Sequence, residues 1–199
     1  ELECSRLSMI MSLAKASEYN DKNTGRHIFR VMHYCKILAL NLGIDREASE
    51  LIFQVSALHD VGKIGVPQEI LSKPGKLTEK EFQIMQSHSL IGANILKQNL
   101  TSSDNPASLY LVPPKTMGLY QKNNSLLKMA TDIACYHHER WDGNGYPEGL
   151  SGEDIPLAAR ICAVADVFDA LGSRRFYREA KTDEIVLKIM FEDHRHFDP

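Results

Sequence analysis

Apolar residues recur at helical spacing along most of the chain, broken by short polar or glycine-rich joints. The pattern predicts a helix from Leu7 to about Tyr19, closed by the polar break Asn20-Asp21-Lys22-Asn23. A second runs from about Thr24 to Leu42, with Val31, Tyr34 and Leu38 on one stripe and Gly43 as its stop. Asp45 is placed to cap a third helix through Leu58, with Leu51, Val55, Leu58 and His59 on one side. Between Val61 and Lys76 stand three glycines and two prolines, which predicts loop with one short helical turn near Ile70. Thr78-Glu79-Lys80-Glu81 is a capping box opening a helix through about Lys97. Its inner stripe is Phe82, Met85, Ser89, Gly92 and Leu96, with His88 at the edge.

From about Gln98 to Asn124 the period fails, and Ser, Asn and Pro accumulate. That length is unusual for a structureless connection and reads as an insertion or mobile lid. Helix resumes from Ser125 to His138, and Trp141 to Gly152, with four glycines and a proline, predicts an irregular loop or small hairpin. A buried helix follows from about Pro156 to Leu171, and a last one from Thr182 to about Phe191. No heptads, repeats or strand–turn–strand series interrupt this order. The expected class is all-α, a compact helical bundle forming a single domain over residues 1–199.

Composition changes this picture little. Of 199 residues, 43% are apolar and 25% charged, enough for an ordinary core without staples. With 23 Lys plus Arg against 26 Asp plus Glu, the net charge of −3 gives no basic field for a nucleic-acid polymer. A small anionic ligand held by a local cluster stays compatible with it. The apolar runs fall short of the length a membrane span needs, and no basic-then-apolar leader is visible. Glu1 at the start and an unfinished element at Pro199 read as a piece of a longer protein. Cys4, Cys35, Cys135 and Cys162 form no CxxC pair; the last three sit in apolar helical stretches and read as buried free thiols, which suit a reducing compartment.

The histidines carry the chemistry. Of eight, His27, His59, His88, His137 and His138 fall near apolar stripes, while His33, His194 and His196 read as surface. Asp60 follows His59 directly, and the apolar helix over 158–171 carries Asp166 and Asp169 on one side. A carboxylate in such a helix is costly unless paired or metal-bound. Any one of these histidines, taken singly, reads as ordinary packing. Together, five imidazoles and the carboxylates of Asp60 and Asp166 exceed what one ion needs. They fit two ions of iron, manganese, nickel or zinc sharing a carboxylate. Metal pairs about 4 Å apart serve phosphoester hydrolysis.

The ordered motifs resemble the HD-GYP branch of the HD phosphohydrolase superfamily along nearly the whole chain. Thr24-Gly25-Arg26-His27 with Arg30-Val31 is similar to the family's opening motif, and Leu58-His59-Asp60-Val61-Gly62-Lys63-Ile64-Gly65-Val66-Pro67 to its HD signature. Ile70 to Leu77, then His88 and Gly92, continue in register. His137-His138-Glu139-Arg140-Trp141-Asp142-Gly143-Asn144-Gly145-Tyr146-Pro147 carries the GYP tripeptide, and Ala159 to Leu171 completes the series. The resemblance implies a cytoplasmic bacterial phosphodiesterase that opens cyclic di-GMP to pGpG and often GMP. It implies iron or manganese held by His27, His59, Asp60, His88, His137, His138 and Asp166, with Asp60 bridging. It further implies a receiver or sensory domain in the full-length protein. The chain departs from the family at Asn23, where members with a third metal have Glu, which favours two ions. It departs again at Phe176, where Pro is usual, and in the length of the stretch 99–124.

The mechanism expected from this likeness is a metal-bridging hydroxide attacking phosphorus, with Lys63 stabilising a non-bridging oxygen. Asp60 acts at the reacting centre. Asp169 orients a metal water or Lys63, or acts as a proton carrier, or is an ion-pair partner at a helix end. Arg175 and Arg178 either clamp the second phosphate and guanine or form a solvated face. The 143–149 loop is expected to buttress the His137-His138 end and present a surface to protein partners. Competing readings are a catalytically weak cyclic-dinucleotide receptor, a hydrolase for a hybrid cyclic dinucleotide, and a helical interaction module with inert histidines.

Overall fold

The computed structural model describes residues 2–19, 26–97, 117–173, 181–193 and 195–199, all helix or connecting turn, with no strand among them. Helices α1 (Leu2–Ser17), α2 (Arg26–Asn41), α3 (Arg46–Ser56), α4 (Gln68–Leu71), α5 (Glu79–Leu96), α6 (Met117–Tyr136), α7 (Leu157–Gly172) and α8 (Asp183–Glu192) follow in order. A 3-10 turn, Val61–Gly65, joins α3 to α4, and a second, Gly152–Asp154, precedes α7.

The boundaries are set by the chemistry read from the chain. Gly43, at φ 77°, takes the left-handed position that ends α2, and the Ile44 N–H reaches back to the Ala39 carbonyl. Asp45 caps α3 by accepting from the Ala48 N–H at 2.9 Å. At α5 the reciprocal box forms: Thr78 N–H donates to Glu81 Oε2 at 2.7 Å, and the Glu81 N–H to Thr78 Oγ1 at 3.4 Å. Two starts differ: α1 begins at Leu2, five residues before the expected Leu7, and α6 also starts early. Helix α6 begins at Met117, eight residues before the expected start, inside the stretch read as an insertion or lid. Gly118, Asn123 and Asn124 are weak helix formers and hide that start. The rest of that reading, residues 98–116, lies outside the described residues.

Helix α2 packs against α3 and α7, α5 against α6 and the 61–65 turn, and α6 against α7. The core between them is built from Ile28, Val31, Met32 and Cys35 of α2, Val55 of α3, Ile133 of α6 and Cys162 of α7. The buried stripe of α2 therefore passes through Cys35 and Ala39, not through Tyr34 and Leu38, which are half-buried. On α5, Phe82 is 43% exposed, whereas His88, expected at the edge, is buried. Cys35, Cys135 and Cys162 are buried free thiols.

One backbone contact fixes the middle of the molecule. A Cβ on Gly62 would stand 1.9 Å from the His88 carbonyl oxygen and 2.4 Å from the Gly92 nitrogen. Only glycine lets the 61–65 turn touch α5, and that contact sets Asp60 and Lys63 beside His88. Gly62→Ala has nowhere to expand except by moving backbone. We expect it to lower unfolding free energy by at least ~2 kcal/mol, read from urea denaturation; a wild-type midpoint would contradict the contact.

Candidate metal centre

Each imidazole is delivered by a different local device. His27 lies in the first turn of α2, and His88 is buried near the middle of α5. His59 and Asp60 stand on the tight turns that follow α3, with the His59 N–H on the Ser56 carbonyl. His137 and His138 continue the end of α6, with the His137 N–H on the Ile133 carbonyl. Ring centroids step from His27 to His59 at 5.4 Å, to His137 at 5.3 Å, and to His138 at 4.0 Å; His88 is 5.1 Å from His138.

Asp60 lies between them. Its Oδ1 is 3.4 Å from His88 Nε2 and 3.9 Å from His137 Nε2, while its Oδ2 is 3.3 Å from His59 Nε2. Two donor groups result, Asp60–His88–His137–His138 and His27–His59–Asp60, each with donor atoms within 4.8 Å of one another. They share Asp60, which turns Oδ1 to the first group and Oδ2 to the second. Asp166 reaches the second group through His27, with Oδ1 3.5 Å from Nε2, and is partly open to solvent.

The hydrogen bonding suits a cation. Nδ1 of His59, His88 and His137 meets the carbonyls of Ser56, Met85 and Ile133 at 2.8, 2.6 and 2.9 Å. A carbonyl only accepts, so each Nδ1 carries a proton, and in the neutral ring the lone pair falls to Nε2. Those three Nε2 atoms are buried with no hydrogen-bond partner among the described residues. Orphaned acceptors converging on one carboxylate are what a divalent ion would satisfy. Burial also holds His137, at about 3, and His138 and His88 below the usual imidazole range, which favours the neutral, ligating form. At His59 burial works the same way, but Asp60 outweighs it and raises the imidazole to about 10. Without an ion, Asp60 draws positive charge from His59; a bound cation would supply it instead.

Lys63 places Nζ 2.7 Å from Asp60 Oδ2, so the lysine does reach the centre from the 61–65 turn. Asp169 differs from the expectation that it orients water or Lys63. It is 3% exposed and lies behind His27: Nδ1 of His27 meets its Oδ2 at 2.7 Å, and Arg30 binds both oxygens. With its oxygens occupied, it fixes His27 rather than facing substrate, and its ion-pair reading is the one the geometry matches. Arg175, Arg178, Asn23, Phe176 and His194 lie outside the described residues. His33 is exposed, as expected, but His196 is half-buried and its carbonyl accepts from the Trp141 N–H.

The 141–151 loop braces the α6 end. A Cβ on Gly145 would lie 2.4 Å from Glu139 Cα and from the Arg140 nitrogen, so glycine is required. The Tyr146 ring then stacks on His138 at 4.7 Å, and its N–H donates to the His138 carbonyl. Buried Glu139 accepts from the N–H groups of Glu148 and Gly149 at 2.8 and 3.1 Å and ties the loop to the helix end. A separate hollow, walled by Tyr34, Leu38, Phe168, Leu187 and Phe197, contains none of these imidazoles.

Glu18 is a residue the sequence reading missed. It directly follows α1 and is 6% exposed; the largest charges acting on it are those of His59, Asp60, His27 and Lys63. Burial pushes its carboxyl up to about 7. Its signal was spacing: it continues the buried stripe of Met11 and Ala14 at helical intervals.

The family model for the HD domain matches residues 7–199. The chain belongs to the HD domain family, in its HD-GYP branch. This HD-GYP chain is 40% identical over 192 residues to a 3′3′-cGAMP-specific phosphodiesterase 2 of Vibrio cholerae, covering 96% of itself and 32% of that protein. It is 38% identical over 208 residues to a probable cyclic di-GMP phosphodiesterase of the same organism, covering 100% of itself and 43% of the relative. It is 40% identical over 200 residues to the cyclic di-GMP phosphodiesterase response regulator RpfG of Xanthomonas campestris, covering 100% of itself and 47% of the relative. The chain thus spans less than half the length of these three relatives. No described helix is long and apolar enough to cross a membrane.

The Asp169 contacts give a pH test. Burial alone would raise this carboxyl, but His27 and Arg30 outweigh burial and hold it at about 2, against 3.8 unperturbed. A depressed carboxylate stabilises the fold above its unfolded value, and the contribution is lost as pH falls through the folded one. The stability lead of wild type over Asp169→Asn should be full above about pH 4 and shrink toward pH 2. Thermal melts of both proteins across that range measure it; a pH-independent lead would contradict the assignment.

Proposed function

We propose that this HD-GYP chain is a metal-dependent phosphodiesterase unit that opens cyclic di-GMP to linear pGpG. The observation that carries the reading is the pair of donor groups sharing Asp60. His27, His59 and Asp60, joined by Asp166, would hold one divalent ion; Asp60, His88, His137 and His138 would hold the other. Iron or manganese suits this imidazole and carboxylate set, and nickel or zinc is compatible with it. Bound there, the ions supply Lewis-acid chemistry, lowering the pKa of water and offsetting phosphoryl charge.

The chain's own groups do the rest. Asp60 presents one oxygen to each donor group and so fixes their separation. Lys63, held at the shared carboxylate, neutralises charge that develops on a non-bridging phosphoryl oxygen. Asp169 orients His27 from behind, and Tyr146 orients His138. Arg175 and Arg178 are assigned to the second phosphate or a guanine face. The free thiols suit a reducing compartment, and we assign the activity to the cytoplasm, within a longer regulated protein.

A hybrid ring is the second reading, favoured by the Vibrio cholerae relative named as specific for 3′3′-cGAMP. Both rings therefore belong in the assay. With protein loaded anaerobically with iron or manganese, chromatography should show pGpG formed from cyclic di-GMP faster than the hybrid ring is opened. Binding without product would establish the receptor reading instead. The His59→Ala/Asp60→Ala double variant should lose both bound metal and hydrolysis, and turnover by that variant would end the two-ion proposal. Lys63→Ala should lose roughly 10²–10³-fold in kcat at near-normal metal content, measured by elemental analysis. Loss of metal instead would make Lys63 structural.

A further inference from the structure

We infer that Glu18 is a charge-compensating carboxylate of the metal centre, serving the His27–His59–Asp60 side. This rests on the metal-dependent reading above and deepens it. Helix α1 packs against the 61–65 turn, and Glu18 follows it at the point where the chain leaves the helix. Both of its carboxylate oxygens are buried and have no hydrogen-bond partner among the described residues. A buried carboxylate without donors is among the costliest groups a fold can carry, unless positive charge lies nearby. The largest charges that act on it are those of His59, Asp60, His27 and Lys63.

Ordinary explanations do not account for it. Lys63 lies on Asp60, and no hydrogen bond joins it to Glu18. The carboxylate is also outside both donor groups, so it is not a ligand in this geometry. What remains is its field. Two divalent ions would concentrate positive charge in a buried space, and among the described donor residues Asp60 and Asp166 offset part of it. Asp169 is already matched by Arg30. A further carboxylate lowers the cost of the second ion, on the side where His27, His59, Asp60 and Asp166 gather. Glu18 is therefore a positioning residue for charge, acting through the ion rather than on substrate.

Equilibrium dialysis of the whole chain against graded free Mn²⁺, with bound manganese counted by elemental analysis, tests this without an activity readout. Wild type should bind two ions. Glu18→Gln, which keeps the shape and removes the charge, should bind one ion as wild type does and the other roughly tenfold or more weakly. Its metal-free melting temperature should equal or exceed that of wild type, because an uncompensated buried acid is gone. Glu18→Asp, keeping the charge, should restore most of the affinity. Glu18→Met fills the same volume without charge and should repeat the glutamine result if glutamine does not fold. The side is assigned by background: Glu18→Gln should add little to His27→Ala and its full loss to His138→Ala. Two ions of unchanged affinity in Glu18→Gln, or a lowered melting temperature with unchanged affinity, would overturn the role of Glu18 alone. Equal losses in the two backgrounds would overturn its side. A wild-type chain that binds no manganese would overturn the metal reading and this inference together.

Discussion

The centre depends on a single buried carboxylate having two oxygens that face different neighbours. Asp60 turns Oδ1 to His88 and His137 and Oδ2 to His59 and Lys63. Neither set of imidazoles is complete without it, and neither can move independently of the other. Burying so many polar groups is tolerable only because nearly all are fixed from outside. Backbone carbonyls hold three Nδ1 atoms, Asp169 holds a fourth, and Tyr146 stacks on His138. The unsatisfied imidazole atoms, Nε2 of His59, His88 and His137, then face Asp60 in the middle.

The helical bundle is a means of delivering ligands from distant parts of the chain. Helices α2, α5 and α6 and the turns after α3 each bring one or two imidazoles, and α7 brings the acids behind them. Where a residue stands on a helix is determined by packing, so the core and the site are not separable. Cys35 and Ile28 of α2 bury the same face that presents His27. The outer supports matter as much as the donors: Arg30 and Ser173 hold Asp169, which in turn holds His27.

Much of this was legible in the chain because the signals were local. Asp45, Gly43 and the Thr78–Glu81 box state where helices start and stop through hydrogen bonds spanning a few residues. The histidines stood out because five of them fell near apolar stripes, and motif order did the rest. What escaped depends on distance. Asp169 could not be told from a catalytic acid without knowing that Arg30, 139 residues earlier, closes on it. Glu18 falls at the end of the first predicted helix, and its burial appears only once α1 is seen packed on the 61–65 turn. His88 was misplaced at an edge because one helical stripe does not reveal what crosses it. The start of α6 was hidden by residues with weak helical preference that the rest of the helix carries along.

The contact of Gly62 with α5 is made of main chain on both sides. Side chains at most interfaces yield by changing rotamer, so spacing there can drift as sequences diverge. Here nothing is left to yield. The gap between the two halves of the centre is in effect a gauge cut into the backbone, and substitutions around it can retune donors and charge but not the interval between them.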